Sequence, residues 1–287
     1  MRLREALKEI FSPPASAEAV AAPPRIGLVL GGGGIRGAAH LGVLSVLERA
    51  GVRFDVVAGT SIGAVVGAGV AARVSSADML ERFRKARWID LARPSWGSRI
   101  SMFEANPMID ILIDTVHAET FEELALPLAV VSTDLLTGET IVFTSGPLRQ
   151  AVLASAAVPG IFEPVRQDGR LLVDGGLTEN LPVKQALDLG ADIVIAIDIT
   201  PQPDASYEPK DIGEMVMMGW SMVEWVRETG RDTASVVITP QVARFSMMDL
   251  GQVQKVYEAG VEAGEAAVGD VLAAIRRASE APAEVRA

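Results

Sequence analysis

The chain has 287 residues, of which 49% are hydrophobic and 22% are charged, and this ordinary balance excludes a wholly disordered protein. Its formal net charge of −11 argues against nucleic acid as a partner, because phosphate binding needs a basic surface, and against docking to an anionic membrane by charge alone. The absence of cysteine excludes disulfides, zinc–thiolate sites, iron–sulfur clusters and a cysteine nucleophile.

The sequence also argues against a histidine-rich metal site, a membrane-spanning helix and a secretory signal. The chain has two histidines, His40 and His117, which excludes a histidine-rich metal site, and we expect neither a metal nor a cofactor. The longest weakly polar run, residues 62–72, is far shorter than the about 20 residues that a helix needs to cross a bilayer. Charged residues interrupt residues 1–11, where a secretory signal would need an apolar run. These features predict a cytoplasmic location.

The sequence divides into an N-terminal segment over residues 1–24 and one domain over residues 25–287. Residues 1–11 have apolar side chains at helical spacing and predict a short amphipathic helix. Residues 12–24 are rich in proline and alanine, which is typical of a linker. The helix is either a frayed appendage or a surface that docks on a partner or a membrane, and the sequence leaves both open.

The domain begins with strand, glycine-rich turn and helix, twice in succession. The apolar runs Ile26–Leu30 and Phe54–Ala58 predict strands. Each is followed by glycines and then by a predicted helix, over Gly37–Ala50 and Ile62–Arg73 respectively. This order of elements is typical of a parallel α/β architecture.

The same periodicities predict the later elements. Further helices are predicted over residues 75–89, 105–116, 148–157, 211–229 and 249–278, and further strands over residues 128–132, 139–144, 170–173, 193–199 and 235–239. Residues 193–199 form a continuous apolar run rather than an alternating one, which indicates a strand buried on both faces.

The first motif that could carry chemistry is the glycine-rich run Gly31–Gly37, between a predicted strand and a predicted helix. Successive glycines allow several backbone N–H groups to point in one direction, so the loop can bind a phosphate or a transient oxyanion. Gly32, Gly34 and Gly37 also fit the spacing of a dinucleotide site. That site needs an acid at the far end of the second strand, whereas Asp55 lies at the beginning of that strand. A purely structural turn is the third interpretation.

The second motif is the G-x-S-x-G sequence of residues 59–63, with Ser61 at its centre. Flanking glycines allow a serine to sit on a strained strand-to-helix turn with its hydroxyl exposed. The pattern alone is weak, and a close-packed turn of small residues is the alternative. The predicted strand before it and the predicted helix after it favour a nucleophile.

The third motif is Asp174-Gly175-Gly176, at the end of a predicted strand. A lone aspartate before glycines usually stabilises a turn. A serine nucleophile, however, needs a base, and no histidine follows His117 to complete the Ser…Asp…His order of an α/β-hydrolase. A partly desolvated aspartate can accept the seryl proton, so a dyad of Ser61 and Asp174 is the economical interpretation.

The three motifs, taken in this order, resemble those of the patatin-like phospholipases, a family that is also similar to the catalytic domain of cytosolic phospholipase A2. The resemblance includes four further segments, Ala38–Leu44, Thr133–Glu139, Ser155–Pro164 and Asn180–Val183. It covers residues 25–200 strongly and residues 210–275 loosely. The chain looks like a small, bacterial-type, single-domain member of this family.

The resemblance implies a three-layer α/β/α sandwich with a mainly parallel central sheet, and hydrolysis of acyl esters by a serine–aspartate dyad. It implies Ser61 as the nucleophile and Asp174 as the base. The oxyanion hole and the motif glycines follow from the same resemblance: Gly32, Gly33, Gly34 and the neighbourhood of Arg36 for the hole, and Gly37, Gly59, Gly63, Gly175 and Gly176 for the turns. Many members have alanine where this chain has Gly176.

The expected partner is a lipid or another acyl ester, with peripheral membrane contact and the oligomeric state left open. The methionine-rich residues 211–229, the irregular residues 88–103 and the proline-rich residues 200–210 are candidates for an apolar entry or a lid. A core or dimer contact is the alternative for the methionine-rich helix. From other classes of protein, a nucleotide-binding protein or a catalytically silent binding protein would use the Gly31–Gly37 loop without needing Ser61.

Overall fold

The computed structural model describes residues 23–85, 93–95, 98–104, 115–200, 208–209, 212–227 and 230–280. The predicted N-terminal helix lies outside the described residues, as does its linker up to residue 22. So do residues 86–89 of the helix predicted over 75–89, residues 105–114 of the helix predicted over 105–116, and much of both predicted loop lids.

The described strands are β1 (Ile26–Leu30), β2 (Val56–Thr60), β3 (Arg93–Pro94), β4 (Ser101–Glu104), β5 (Leu128–Asp134), β6 (Thr140–Phe143), β7 (Gly160–Phe162), β8 (Val165–Gln167), β9 (Arg170–Asp174), β10 (Ile193–Ile197) and β11 (Val236–Ile238). The described helices are α1 (Ala38–Arg49), α2 (Ile62–Ala71), α3 (Ser76–Lys85), α4 (Leu148–Ser155), α5 (Val183–Asp188), α6 (Ile212–Arg227) and α7 (Val253–Glu280). A 3₁₀ turn over Gly34–Gly37 precedes α1.

Parallel strands form the centre of the main sheet. They lie in the order β11, β10, β1, β2, β5, and every neighbouring pair among them is parallel. Antiparallel β6 and β9 pair with β5, and β8 pairs with β9. The predicted, mainly parallel sheet is therefore confirmed. A separate small sheet of β3, β4 and β7 was not predicted from the sequence.

Strand β5 holds two different strands on one of its edges. Val131 pairs with Thr60 of β2 and also with β6, so β2 and β6 lie on opposite edges. Ser132 pairs with Asp174 of β9 and also with β6, so β9 lies on the same edge as β2. The carboxyl ends of β2 and β9 therefore meet head to head beside β5, with Thr60 and Asp174 opposite consecutive residues.

Helices cover both faces of this sheet. Leu28 and Leu30 of β1 belong to the core formed with α1, α2, α4 and α7. Val29, between them, packs on the other face with Val183 and Ala186 of α5. Successive side chains of a strand point to opposite faces, and here both directions are buried, so β1 reads as a continuous apolar run. The predicted three-layer α/β/α sandwich is confirmed.

The second strand lies two residues later than predicted, over Val56–Thr60 instead of Phe54–Ala58. Asp55 holds its beginning beside β1, because its carboxylate accepts the Ile26 N–H at 2.7 Å and its own N–H donates to Ile26 O at 2.8 Å. Pairing of Gly59 with β1 and β5 then keeps the chain extended to Thr60. The sequence placed the end of this strand too early because two small residues were assigned to the turn.

Gly63→Ala should destabilise the protein by about 1–3 kcal/mol or more. The added Cβ would overlap the carbonyl oxygen of Leu30, in a packed backbone contact that cannot relax cheaply. Gly269→Ala is the matched control, because nothing lies within 4 Å of a Cβ at that position of α7. Its better helix propensity should stabilise the protein by about 0.5–1 kcal/mol. Urea unfolding of both variants measures the difference, and equal free energies of unfolding would contradict the packed turn.

Candidate active site

Ser61 occupies the turn between β2 and α2 in a strained backbone conformation. Its φ of 55° and ψ of −124° lie outside the regions that L-residues favour. The Ser61 N–H donates to Ser155 Oγ at 2.8 Å, and the Ser61 carbonyl accepts the N–H groups of Ala64 and Val65 in the first turn of α2. The backbone of Ser61 is thus fixed at both ends, and its side chain lines a pocket.

Three glycines of the predicted motifs permit this turn by their close contacts. A Cβ on Gly59 would overlap the carbonyl oxygen of Gly63, and a Cβ on Gly37 would overlap the side chain of Ile62. Gly63 itself lies against the end of β1, as described above. Strand, turn and helix therefore occur where the G-x-S-x-G motif predicts them, with Ser61 at the point of the turn.

Asp174 is the last residue of β9 and lies beside the end of β2. Its Oδ1 accepts the Gly176 N–H at 2.8 Å, and its side chain is almost fully buried. Gly175 then lies beside the middle of β5, where a Cβ would overlap the carbonyl oxygen of Val131 and lie 3.0 Å from Thr60 Cγ2. The lack of a side chain at Gly175 lets β9 end close enough to β2 for Asp174 and Ser61 to share one pocket.

Burial raises the pKa of Asp174 to about 7, because the charged carboxylate has lost its water. The Ser61 hydroxyl and the Gly176 N–H act in the opposite direction. The Ser61 hydroxyl is near enough to affect this pKa but makes no hydrogen bond of ordinary geometry, and Asp174 Oδ2 has no hydrogen-bond partner among the described residues. Such contacts often tighten only when substrate binds. Asp174 Oδ2 is therefore a buried acceptor without a partner among the described residues, close to the Ser61 hydroxyl.

The glycine loop has three engaged and two unengaged backbone N–H groups over residues 31–35. The engaged groups donate from Gly31 to Ile197 O at 3.1 Å, from Gly32 to Asn180 Oδ1 at 3.0 Å, and from Ile35 to Met247 O at 2.9 Å. The N–H groups of Gly33 and Gly34 have no hydrogen-bond partner within the described part of the chain. Both glycines line the pocket that contains Ser61 and Asp174.

Arg36 lies next to this loop in sequence but is not among the residues that line the pocket. Its Nε donates to Phe245 O at 2.8 Å, and a terminal nitrogen donates to Ala243 O at 3.2 Å. The guanidinium thus ties the loop around residues 243–247 to the 3₁₀ turn that follows the glycines. The guanidinium donates to backbone carbonyl groups of this loop, which agrees with a loop-shaping role.

Neither histidine reaches the pocket. His40 is fully buried on α1, where burial lowers its pKa to about 4 against the opposing effect of a hydrogen bond with Gly31. A neutral imidazole follows, and its Nε2–H donates to Gly31 O at 2.9 Å, since a carbonyl can only accept. His117 is exposed and is not one of the lining residues. Asp174 is therefore the titratable side chain that accompanies Ser61 in the pocket.

The dinucleotide interpretation of the glycine loop lacks its ribose-binding acid. Asp55 lies at the opposite end of β2 from the loop, and its carboxylate accepts the Ile26 N–H. At the loop end, β2 runs through Thr60 into Ser61 without a carboxylate. The Gly32 N–H, which a bound phosphate would need, is taken by Asn180.

A narrow cavity of about 80 Å³ joins Ser61, Asp174 and the glycine loop. Its other walls are apolar and include Val158, Ile161, Phe162, Met217, Trp220 and Met247. Met217 and Trp220 belong to α6, so the methionine-rich helix predicted from the sequence contributes one wall. The cavity has room for only a few molecules of the size of water. A long acyl chain therefore requires these side chains to move.

Sequence reasoning missed three contributors to this site. Ser155, which accepts the Ser61 N–H, was noted only as the first residue of a segment resembling the family, and its contact was not foreseen. Met247, which holds the Ile35 N–H, lies in a loop whose sequence predicted no structure. Asn180 was noted only as part of the segment resembling the family, so a signal was present but its contact was not foreseen.

A family model described as patatin-like phospholipase matches residues 28–187, more than half of the chain. The chain belongs to the patatin-like phospholipase family. It is 38% identical over 185 residues to an uncharacterized NTE family protein of Mycobacterium tuberculosis, covering 61% of this chain and 49% of the relative. It is also 30% identical over 285 residues to human patatin-like phospholipase domain-containing protein 6, covering 85% of this chain and 20% of that protein. The chain thus spans half or less of the length of these relatives.

The fold of this member of the patatin-like phospholipase family is shared with a solved bacterial structure. VipD from Legionella pneumophila superposes with a TM-score of 0.50 at 15% sequence identity, covering 85% of this chain and 67% of that chain. The helices described in the structure include none that is long and apolar enough to cross a membrane. Within the same described residues, no cluster of three or more histidine, aspartate or glutamate side chains could hold a metal ion.

Asp174→Asn should raise the thermal midpoint of unfolding at pH 8 by several degrees. The folded-state pKa of about 7 is above the ordinary value of 3.8. The protein therefore has its full stability below pH 4, where the Asp174 carboxyl group is protonated, and loses part of it as the pH rises through 7. The neutral amide of the variant avoids this loss of stability, which is about 4 kcal/mol because the folded and unfolded pKa values differ by about three. The gain should shrink as the pH is lowered towards 4.

Asp134→Asn is the matched control at the end of the neighbouring strand β5. Burial opposes ionisation of Asp134 as well, but N–H groups of Leu136 and Leu171 and the Thr137 hydroxyl donate to its carboxylate and lower its pKa. This variant should therefore lose stability at pH 8. Thermal melts across pH 4–8 compare the two, and a destabilised Asp174→Asn protein at pH 8 would contradict the raised pKa.

Proposed function

We propose that this chain is a serine hydrolase that cleaves acyl esters, with Ser61 as the nucleophile and Asp174 as the general base. One observation carries the proposal. The Ser61 side chain, a buried carboxylate with an unpartnered oxygen, and the glycines with two unengaged N–H groups all line a single apolar pocket. Nucleophile, base and oxyanion donors are the parts that acyl transfer needs.

Acylation uses these groups in two steps, addition of Ser61 to the ester and collapse of the tetrahedral intermediate. Ser61 Oγ attacks the ester carbonyl carbon while its proton passes to Asp174 Oδ2. The carbonyl oxygen becomes negatively charged, and the N–H groups of Gly33 and Gly34 donate to it. The tetrahedral intermediate collapses when the carbon–oxygen bond to the leaving group breaks, and the protonated Asp174 returns its proton to the departing alkoxide.

Deacylation repeats the sequence with water. Asp174 takes a proton from a water molecule whose oxygen attacks the carbonyl carbon of acyl-Ser61. The same two N–H groups hold the second oxyanion. Collapse breaks the bond to Ser61 Oγ, Asp174 returns the proton to this oxygen, and the free acid leaves.

The proposed oxyanion hole has fewer donor residues than the one that the family resemblance implies. Of the four residues Gly32, Gly33, Gly34 and Arg36, the proposal retains Gly33 and Gly34 as donors. The Gly32 N–H and the Arg36 guanidinium donate to protein acceptors and contribute by shaping the loop.

The substrate class follows from the lining of the pocket. Apolar side chains from α6, from β7 and from the loop at Met247 and Met248 suit the hydrocarbon of an acyl group, and methionines adapt to its shape. Among the described lining residues, Asp174 is the one charged side chain, so none of them offers a counter-ion for a polar acid. We therefore propose a lipid or another apolar acyl ester as the substrate, bound from a cytoplasmic solution or from a membrane at its surface.

Ser61→Ala should lower the turnover of p-nitrophenyl esters at least about 1,000-fold, because the nucleophile is lost. Asp174→Asn should have a similar effect, because an amide cannot accept the seryl proton. Both variants should keep the wild-type circular dichroism spectrum. Initial rates with acyl chains from acetate to palmitate measure the effect, and short chains should be favoured while the cavity keeps its described size.

Ser45→Ala is the control for this assay, because Ser45 lies on α1 away from the pocket and donates to Gly42 O. A fluorophosphonate probe should add its mass to the peptide that contains Ser61 in the wild type and in the control, but not in Ser61→Ala. Undiminished hydrolysis by Ser61→Ala would disprove the mechanism. Absence of both turnover and labelling in the wild type would favour the catalytically silent alternative.

The pH dependence of kcat/KM should follow the ionisation of Asp174. The base must be deprotonated to accept a proton, so kcat/KM should rise with pH through the raised pKa of about 7 and reach a plateau above it. A carboxylate with an ordinary pKa would give a plateau already above pH 5. Hydrolysis of one ester followed by pH-stat from pH 5 to 9 distinguishes the two profiles.

A further inference from the structure

The peptide unit between Gly31 and Gly32 is held from both sides. Its carbonyl oxygen accepts the His40 Nε2–H at 2.9 Å, and its N–H donates to Asn180 Oδ1 at 3.0 Å. A peptide between two glycines can rotate easily, because neither residue has a Cβ to restrict its backbone. Since the unit is planar, fixing its oxygen and its N–H together fixes its orientation.

Asn180 is itself held by a short, partly buried network of hydrogen bonds. Its Nδ2 donates to Thr200 Oγ1 at 2.8 Å, and the Thr200 N–H donates to Asp198 Oδ1 at 2.8 Å. The other oxygen of Asp198 accepts a terminal nitrogen of Arg231 at 2.7 Å. The Gly32 N–H can only donate, so it requires the oxygen of the Asn180 amide on its side, and the amide nitrogen is left to donate to Thr200 Oγ1.

Gly32 lies between Asn180 and the nucleophile without space to spare. A Cβ at this position would come to 2.5 Å from Asn180 Oδ1 and 3.2 Å from Ser61 Cβ. The N–H that points to Asn180 therefore cannot point into the pocket. The next two N–H groups, of Gly33 and Gly34, are those that remain unengaged.

We propose that Asn180 is a positioning residue for acyl transfer. By engaging the Gly32 N–H it fixes the Gly31–Gly32 peptide in the orientation that directs the N–H groups of Gly33 and Gly34 to the oxyanion. The proposal rests on the proposed function. A positioning role of Asn180 acts on the transition state, because the Gly33 and Gly34 N–H groups donate to the oxyanion. The apolar walls bind the substrate, so substrate binding does not depend on Asn180.

Asn180→Ala should therefore lower kcat for p-nitrophenyl butyrate by about 10- to 100-fold with KM changed less than about twofold. The inhibition constant of an alkyl boronic acid should rise by the same factor as kcat falls. Its tetrahedral adduct on Ser61 places an oxygen where the oxyanion forms, and it reports on the hole without turnover. Active-site titration with a fluorophosphonate should still reach one label per chain, because Ser61 itself is intact.

Thr200→Val removes the acceptor that orients the Asn180 amide and should reproduce the same pattern with a smaller, several-fold loss. Thr200→Ser keeps the hydroxyl and should restore the wild-type kcat. These two variants test the network if Asn180→Ala does not fold. Gln185→Ala is the control, because it removes another buried amide, on α5, that does not contact the glycine loop through any described hydrogen bond.

The outcomes separate this inference from the function on which it rests. If the wild type is active and Asn180→Ala and Thr200→Val keep its kcat and its boronic acid inhibition constant, Asn180 has no positioning role and the proposed function stands. A reduced titratable fraction with unchanged values per active site indicates a folding role and also overturns the inference. A wild type without ester turnover and without labelling of Ser61 overturns the proposed function and this role together.

Discussion

Strand β5 carries β2 and β9 on the same edge, and the meeting of their carboxyl ends determines where the site forms. Thr60 and Asp174 face consecutive residues of β5, so the residue after β2 and the last residue of β9 are brought together by main-chain pairing. The close contacts of Gly63 with β1 and of Gly175 with β5 then bring the two turns into register. The glycine loop completes the arrangement from β1, the neighbouring parallel strand.

The site concentrates unfavourable features that the rest of the fold must offset. Ser61 has a strained backbone, and Asp174 has a carboxylate removed from water with one oxygen unpartnered. Sites of this kind persist where the surrounding structure determines them from several sides. Here the surroundings are a sheet buried on both faces and a helix whose first turn is anchored on the Ser61 carbonyl. The removal of water from Asp174 is also what gives a carboxylate the basicity of a histidine, so instability and reactivity have one cause.

The sequence predicted most of the fold because its strongest signals are local. Two successive strand–turn–helix units and the apolar run of β10 indicated a parallel α/β architecture, and the family resemblance implied its three layers. Ser61 followed from glycines on either side of it between a strand and a helix. Asp174 could be paired with Ser61 only through the scarcity of histidine and the family resemblance, since nothing near residue 174 in sequence indicates its neighbour. The head-to-head strands, the small sheet of β3, β4 and β7, and the contact of Asn180 with Gly32 depend on pairing between distant segments. No local pattern encodes them.

The order of these segments along the chain has a consequence for biosynthesis. The glycine loop, the Ser61 turn and β5 all lie in the first half of the chain, whereas Asp174 and Asn180 come from the second half. During translation the amino-terminal strands and helices emerge first. A nascent chain therefore carries the proposed nucleophile before it has the proposed base, or the Asn180 amide that engages the glycine loop. The two parts of the site meet only when β9 joins the edge of β5, so the proposed ester hydrolysis cannot begin until the sheet is complete.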